Sequence, residues 1–347
     1  MATATATIDL NAIRQNWQKL RRLSSGDTAA VVKANAYGLG VKQVAPALYN
    51  EGARIFFIAT AEEGAELRSI VGKIPDIYIF SGHMTGDTDL IKNYSLIPLI
   101  NSIEQLSRHC ELSKEQKFGI QLDTGMNRLG MEPMEWETVK ELTLSLNPVL
   151  IMSHLACADE PRNEMNPMQL QNFRRLTDKI NVKKSLSATG GILLGPEYHF
   201  DLTRPGIGIY GCSPMQDCFS VLKIEIPVIQ IRDIGRGETV GYGNTWTAPS
   251  KRKIATISAG YADGLFRLLS TNTRLYFQDI GCPIVGRISM DLIGVDITSL
   301  DVEPEKLELI NSQQTIDKIA GGAKTIGYEF LTSLGNRYHR NYKGLIE

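Results

Sequence analysis

Short apolar or β-rich runs recur along the amino-terminal part of the chain, at residues 28–34, 55–60, 77–81, 96–100, 117–123, 149–154, 184–188 and 200–210. Between most of them lie stretches whose apolar residues return every three or four positions, at 41–50, 61–70, 102–110, 134–146 and 167–180. The first pattern predicts strands and the second helices. Strand and helix alternating in this way is the signature of an α/β fold, a (β/α)8 barrel of TIM type, with functional groups at the carboxyl ends of its strands.

Beyond residue 220 the pattern changes. Residues 221–234, 253–258, 273–278 and 292–297 are strand-like, with glycine-rich turns between them and little helical periodicity. A second, mostly β domain is expected there. Residues 314–334 return to a helical composition, the threonine-rich start at 2–8 is expected to pair with the β domain, and Asp9 suits the N-cap of a helix from Leu10. The expected division is a barrel over 8–220 and a carboxy-terminal β domain over 221–347 joined by residues 1–7.

Length and charge narrow the function. At 347 residues the chain can bury a large core, and a formal charge of −1 without a long basic run gives no footprint for nucleic acid or an anionic membrane. Small molecules are the expected partners. The first seven residues lack the basic start and apolar core of a signal peptide, and no apolar run approaches the roughly 20 residues of a bilayer span, so a cytoplasmic protein is expected. The five cysteines are scattered with no C-x-x-C pair, which argues against a disulfide framework and a structural metal.

The segment Ala29-Ala-Val-Val-Lys33-Ala-Asn-Ala-Tyr37-Gly-Leu-Gly40 carries the sharpest chemical signal. Lysine resists burial, so Lys33 at the end of an apolar strand either snorkels to water or performs chemistry that needs a depressed pKa, of which Schiff-base formation is the leading case. By contrast, Gly206-Ile207-Gly-Ile-Tyr-Gly211 matches the dinucleotide fingerprint G-x-G-x-x-G only in its letters. Thr203-Arg204-Pro205 precedes it and Pro214 follows, so it neither leaves a strand cleanly nor opens a helix. A turn whose N–H groups face a phosphate at the end of the eighth strand is the better reading, with Arg204 beside it. Arg128, Ser153, His154 and Thr189 fall at the same predicted rim. In the β domain, spacing alone favours hairpin turns with packed aromatics for residues 241–246, 260–264 and 286–291.

Taken in order, the Lys33 segment, Asp123-Thr-Gly-Met-Asn-Arg128-Leu-Gly, Ser153-His-Leu-Ala-Cys-Ala-Asp-Glu160, Arg204-Pro-Gly206, Gly241-Tyr-Gly243, Gly260-Tyr-Ala-Asp-Gly264, Gly286-Arg-Ile-Ser-Met-Asp291 and the tail Arg337-Tyr-His-Arg340-Asn-Tyr342 resemble the alanine racemases over nearly the whole chain. The resemblance implies a barrel plus a β domain, and pyridoxal 5'-phosphate carried by Lys33. It implies a two-base reaction in which Lys33 serves the D enantiomer and Tyr242 the L enantiomer. His154 would contact Tyr242, and Arg204 would face the cofactor's ring nitrogen. Thr189, Gly206, Ile207 and Tyr328 would hold the phosphate, with Tyr37 close. Arg128 and the backbone at Met290 would meet the substrate carboxylate, and Tyr261 would narrow the entrance. In the family Tyr242, Tyr261 and Met290 come from a partner subunit, so the resemblance implies a homodimer with shared sites.

Two departures from the family pattern stand out. Gln121 occupies a position where many members carry a lysine, often carbamylated, that orients the carboxylate-binding arginine, so Arg128 is expected to be held less firmly. Ala188-Thr189 replaces an Asn-Ser pair, keeping the hydroxyl and losing the amide. The competing readings are a serine or broader-specificity racemase of the same fold, a fold-related pyridoxal-phosphate decarboxylase and a non-catalytic carrier of the cofactor.

Overall fold

The computed structural model describes residues 3–111, 116–271 and 273–345; Met1 and Ala2 of the threonine-rich start lie outside them. The chain divides into two compact units, Ile13–Phe219 and Met1–Ala12 with Ser220–Glu347.

In the first unit, Ala30–Val31, Ile55–Ile58, Asp76–Ile79, Ile97–Ile100, Gly119–Gln121, Leu150–Met152 and Lys184–Ser185 form a parallel sheet in chain order. An eighth strand, Leu202–Thr203, pairs in parallel with Asp27–Thr28. Ala29 N–H donates to the Thr203 carbonyl at 2.9 Å and Val31 N–H to that of Pro205 at 3.0 Å. On the other side Asp201 N–H reaches the Lys184 carbonyl at 3.0 Å and Arg204 N–H that of Ser187 at 2.8 Å, so the ring closes as a barrel. The strands are continuous apolar runs because both faces are covered, and Phe56, Phe57, Ile77, Ile79, Leu99 and Ile100 are fully buried.

The helices Val41–Asn50, Ala61–Val71, Ile103–Cys110, Pro133–Ser145 and Met165–Thr177 stand where the periodicity predicts them. Thr60 and Ser102 cap two of them by accepting from Glu63 N–H and Gln105 N–H. Asp9 caps Leu10–Leu23, its Oδ1 accepting from Asn11 N–H at 2.9 Å and Ala12 N–H at 3.0 Å. One expectation fails: the run 200–210 is a strand only at Leu202–Thr203, because Pro205 lacks an N–H for a ladder and Ile207–Tyr210 coils into a 3-10 turn.

The second unit is built on an eight-stranded sheet in the order Arg252–Ile257, Ile293–Asp296, Ile280–Val285, Arg274–Phe277, Lys306–Ile310, Leu222–Ile234, Thr5–Asp9, His339–Lys343. Leu222–Ile234 also pairs with Arg252–Ile257, which rolls the sheet on itself. Thr5–Asp9 joins it, antiparallel to Leu222–Ile234 and parallel to His339–Lys343. Three strands lack a clear sequence signal. Ile280–Val285 contains Gly281 and Pro283, Lys306–Ile310 alternates charged and apolar residues over one short stretch, and His339–Lys343 is polar throughout. The helical tail resolves into Ile316–Gly322 and Gly327–Ser333.

Candidate active site

Lys33 follows the strand Ala30–Val31 at its carboxyl end, where the chain leaves the barrel wall in an unusual way. Ala34, Asn35, Ala36 and Tyr37 all have φ between 52 and 54°, making a left-handed helical turn of four residues that each carry a Cβ. Such a turn costs roughly 1–2 kcal/mol for each L residue, so its surroundings must over-determine it. Ala36 N–H donates to the Val32 carbonyl at 2.9 Å, Gly38 N–H to Ala34 at 2.8 Å and Gly40 N–H to Asn35 at 2.9 Å. Asn35 Oδ1 accepts from Val41 N–H at 2.7 Å, tying the turn to the next helix, and Tyr37 stacks on the buried Tyr210 with ring centroids 4.6 Å apart.

The Lys33 amine is half-buried, with Nζ 5.5 Å from the centre of the Phe80 ring. Burial lowers its pKa first, the positive charge of Arg128 lowers it further, and Glu63 opposes both. Both effects shift the equilibrium toward the neutral, nucleophilic amine. His154, after the strand Leu150–Met152, is driven down to about 3 by burial and by the cations Arg204, Arg128 and Lys33, so it is a neutral imidazole at physiological pH. Gln169 holds the chain at this point, donating from Nε2 to the His154 carbonyl at 2.9 Å and accepting at Oε1 from Ala156 N–H at 2.8 Å.

Arg204 is wholly buried at the end of the eighth strand. Its guanidinium donates to the Ser185 hydroxyl, to the Ser153 carbonyl at 2.7 Å and to the Leu186 carbonyl at 3.3 Å, and no carboxylate pairs with it among the described residues. Burial pulls its pKa down to about 9, which still leaves it cationic at neutral pH. A buried cation supplied only with neutral acceptors suits a further neutral acceptor, such as an unprotonated ring nitrogen.

Thr189, Gly206 and Tyr37 form a cradle nearby. The Thr189 hydroxyl accepts from the N–H groups of Gly206 and Gly208, both at 3.2 Å. A Cβ on Gly206 would sit 2.4 Å from the Tyr37 hydroxyl oxygen, so any side chain there would push the tyrosine tip aside. Two hydroxyls and two backbone N–H groups gathered at Gly206 are the kind of donor set a phosphate needs, and the residues present fit pyridoxal phosphate.

Arg128 is exposed on the loop after Gly119–Gln121. Gln121 Nε2 donates to the Leu129 carbonyl at 3.0 Å, and Asp123 Oδ1 accepts from Gly125 and Met126 N–H at 2.7 and 3.0 Å. The loop is therefore held through its backbone on both sides of Arg128.

Of the predicted site residues, Lys33, Tyr37, Arg128, His154, Thr189, Arg204, Gly206 and Ile207 belong to the barrel unit, and Tyr242, Tyr261, Met290 and Tyr328 to the other. In that second unit the 260–264 and 286–291 turns are bonded together, Tyr261 N–H to the Ser289 carbonyl and Ala262 N–H to that of Met290, each at 3.0 Å. The expectation of packed aromatics fails here: Tyr242 is 73% exposed, Tyr261 46% and Met290 52%. In sequence Arg337 has a place in the tail motif but no role, and the structure bonds it to Asp263 and Asp291 beside these two turns; Glu63 was missed, since its spacing from Thr60 marks only a helix start.

The likeness to known proteins spans almost the whole chain. Residues 8–214 match the alanine racemase N-terminal domain and 221–342 the alanine racemase C-terminal domain. The alanine racemase of Cereibacter sphaeroides is 56% identical over 347 residues, covering 99% of each chain. A crystal structure of alanine racemase from Bartonella henselae with covalently bound pyridoxal phosphate superposes with a TM-score of 0.94 at 38% identity, covering 99% of this chain and 100% of that one. That of the biosynthetic alanine racemase from Pseudomonas aeruginosa gives 0.92 at 32% identity, with 99% and 100% covered. With both domain types matched in order and a half-identical relative aligned end to end, the chain belongs to the alanine racemase family.

Proposed function

We propose that this chain interconverts L-alanine and D-alanine with pyridoxal phosphate, passing the Cα proton between Lys33 and Tyr242 on opposite faces of the substrate. The observation that carries the reading is the barrel mouth itself: a lysine with a depressed pKa and a buried guanidinium that both act on His154, together with a hydroxyl cradle at Gly206. Pyridoxal phosphate, when bound, supplies the electron sink that makes the Cα proton removable. Lys33 holds the cofactor and, once its amine is released, takes or returns the proton on the face used by the D enantiomer. Tyr242 does the same for the L enantiomer. Arg204 donates toward the ring nitrogen without surrendering its proton, which limits the sink and restrains side reactions such as transamination. Thr189, the N–H groups of Gly206 and Ile207, Tyr37 and Tyr328 hold the phosphate, while Arg128 and the Met290 N–H bind the substrate carboxylate and Tyr261 narrows the entrance.

The working form in this reading is a homodimer in which each subunit lends Tyr242, Tyr261 and Met290 to the other's site. Three large side chains left exposed on adjoining turns support it, since a partner surface would cover them. Supply of D-alanine for peptidoglycan in the cytoplasm is the role we assign. Free thiols at all five cysteines fit a reducing compartment, and no helix among the described residues is long and apolar enough to cross a membrane.

The test is racemisation of a panel of alanine, serine, lysine and arginine by the cofactor-loaded protein, with Lys33→Ala and Tyr242→Phe beside it. Fast conversion of alanine, lost in both variants, is the expected result. Preference for serine or a basic amino acid would move the substrate assignment, and full turnover by Tyr242→Phe would defeat the two-base mechanism.

A further inference from the structure

Glu63 does not close the local cap that its position calls for. It stands three residues after Thr60, the N-cap of Ala61–Val71, where a glutamate ordinarily turns back to the cap residue's own N–H. Its carboxylate instead passes that group by and divides between two strand ends: Oε2 accepts from Ala59 N–H at 2.8 Å and Oε1 from Ala34 N–H at 2.7 Å. Ala59 follows the strand Ile55–Ile58, and Ala34 is the first left-handed residue after Lys33.

The two strands pair in parallel at Ala30 with Phe56 and Val31 with Phe57, and the last backbone bond between them runs from Val32 N–H to the Phe57 carbonyl at 3.0 Å. One residue past Lys33 the left-handed turn carries the chain off the sheet, and the Glu63 carboxylate accepts from the N–H that has left the ladder. Hydrogen bonds to an ionised acceptor are roughly twice as strong as neutral ones, so this contact is suited to pinning a strained turn at its origin.

We propose that Glu63 is a positioning residue whose carboxylate pins the left-handed turn at Ala34 and so fixes the direction in which Lys33 leaves the barrel wall. The charge on Glu63 also acts on the amine, favouring its protonated form against burial and Arg128, while His154 lies close enough to sense the Lys33 charge. The inference rests on Lys33 being the lysine that carries the cofactor. A glutamine at position 63 would keep one acceptor oxygen but turn an NH2 group toward the other N–H, so it should preserve part of the clamp. Alanine would remove it.

The experiment compares holoenzyme carrying Glu63→Gln or Glu63→Ala with the unaltered protein, by hydrogen exchange of the segment 33–40, steady-state kinetics in both directions and absorbance of the bound cofactor. Exchange at the Ala34 amide should rise about tenfold or more in Glu63→Ala. kcat should fall by about tenfold in both directions with KM changed less than about threefold, and Glu63→Gln should lie between. Lower melting temperature alone, with exchange at 33–40 and kcat unchanged, would overturn the proposal. If Glu63→Ala fails to fold, the near-isosteric Glu63→Gln decides by the same two readings. Lys33→Ala separates the premise from the inference: if it keeps the cofactor absorbance and turnover, the assignment of Lys33 falls, whereas the exchange at Ala34 still reports on the clamp.

Discussion

The guanidinium of Arg337 grips the Asp263 carboxylate at two points, from Nε to Oδ1 and from Nη2 to Oδ2, both at 2.7 Å. Its third nitrogen reaches Asp291 Oδ1 at 2.7 Å. Asp263 lies two residues after Tyr261 and Asp291 directly follows Met290, so one planar cation ties together the two turns that present those side chains. A lysine has neither the fork nor the reach to hold both carboxylates in this geometry.

Arg337→Ala is therefore expected to loosen the Tyr261 and Met290 turns and raise KM for alanine by about tenfold, with a smaller change in kcat. Arg337→Lys should recover only part of the loss. Steady-state kinetics in both directions check this, and an unchanged KM in Arg337→Ala would break the link between the ion pairs and the substrate.

Acid should destabilise the barrel through a pair of buried histidines. His83 and His109 meet edge to face with ring centroids 5.6 Å apart, and Nδ1 of each has no hydrogen-bond partner among the described residues. Burial holds His109 down to about 4, the Gln116 carbonyl opposing and His83 adding to the shift; burial and Arg108 lower His83. The unfolded chain, with histidines near 6.5, binds these protons first as pH falls. Stability is thus fully present above pH 6.5 and lost as the pH drops toward 4, by up to about 1 kcal/mol per pH unit from His109. Thermal melts between pH 7 and 4 should show that slope, and His109→Phe, which keeps a ring against Phe118, should make it shallower while the contributions of His83 and His154 remain.

Much of this architecture was legible because the barrel wall is apolar on both faces and its helices on one. The runs 41–50 and 61–70 therefore declare their period, and Lys33 stands out at the end of a buried strand. The left-handed turn was not legible. Asn35 tolerates the left-handed region but Ala34, Ala36 and Tyr37 do not favour it, and tertiary contacts such as Asn35 to Val41 and Tyr37 on Tyr210 impose the full turn. His339–Lys343 was missed for a related reason: pairing with Thr5–Asp9, not its own hydrophobicity, makes it a strand. Gln121 fixes the backbone beside Arg128 at Leu129 with its amide and without any charge, a contact that its residue type alone does not announce.

Gly206→Ala tests the phosphate cradle. The new Cβ would lie 2.4 Å from the Tyr37 hydroxyl and 3.5 Å from the Val31 side chain, so the tyrosine tip, rather than the barrel wall, must give way. The fold should survive while the cradle widens. Equilibrium dialysis against pyridoxal phosphate is expected to show affinity reduced by about tenfold or more, with a melting temperature of the apoprotein within a few degrees of the original. Unaltered affinity would place the phosphate elsewhere.

The link between Arg128 and Lys33 can be read without substrate. The Lys33 amine is held below 10.5 by burial first and by Arg128 second, with Glu63 opposing. Removing the guanidinium takes away a charge that disfavours the ammonium, so the pKa of Lys33 must rise. In the apoprotein, the pH at which Lys33 becomes half-reactive toward an amine-acylating reagent, followed by mass spectrometry, should lie below that of an exposed lysine. It should move upward in Arg128→Gln. The same variant should raise KM for alanine by about tenfold, because glutamine cannot form a charged two-point contact with a carboxylate. A raised KM with no movement of the Lys33 midpoint would mean that Arg128 binds substrate from a place where its charge does not reach the amine. A moved midpoint with unchanged KM would take the substrate carboxylate away from Arg128 altogether.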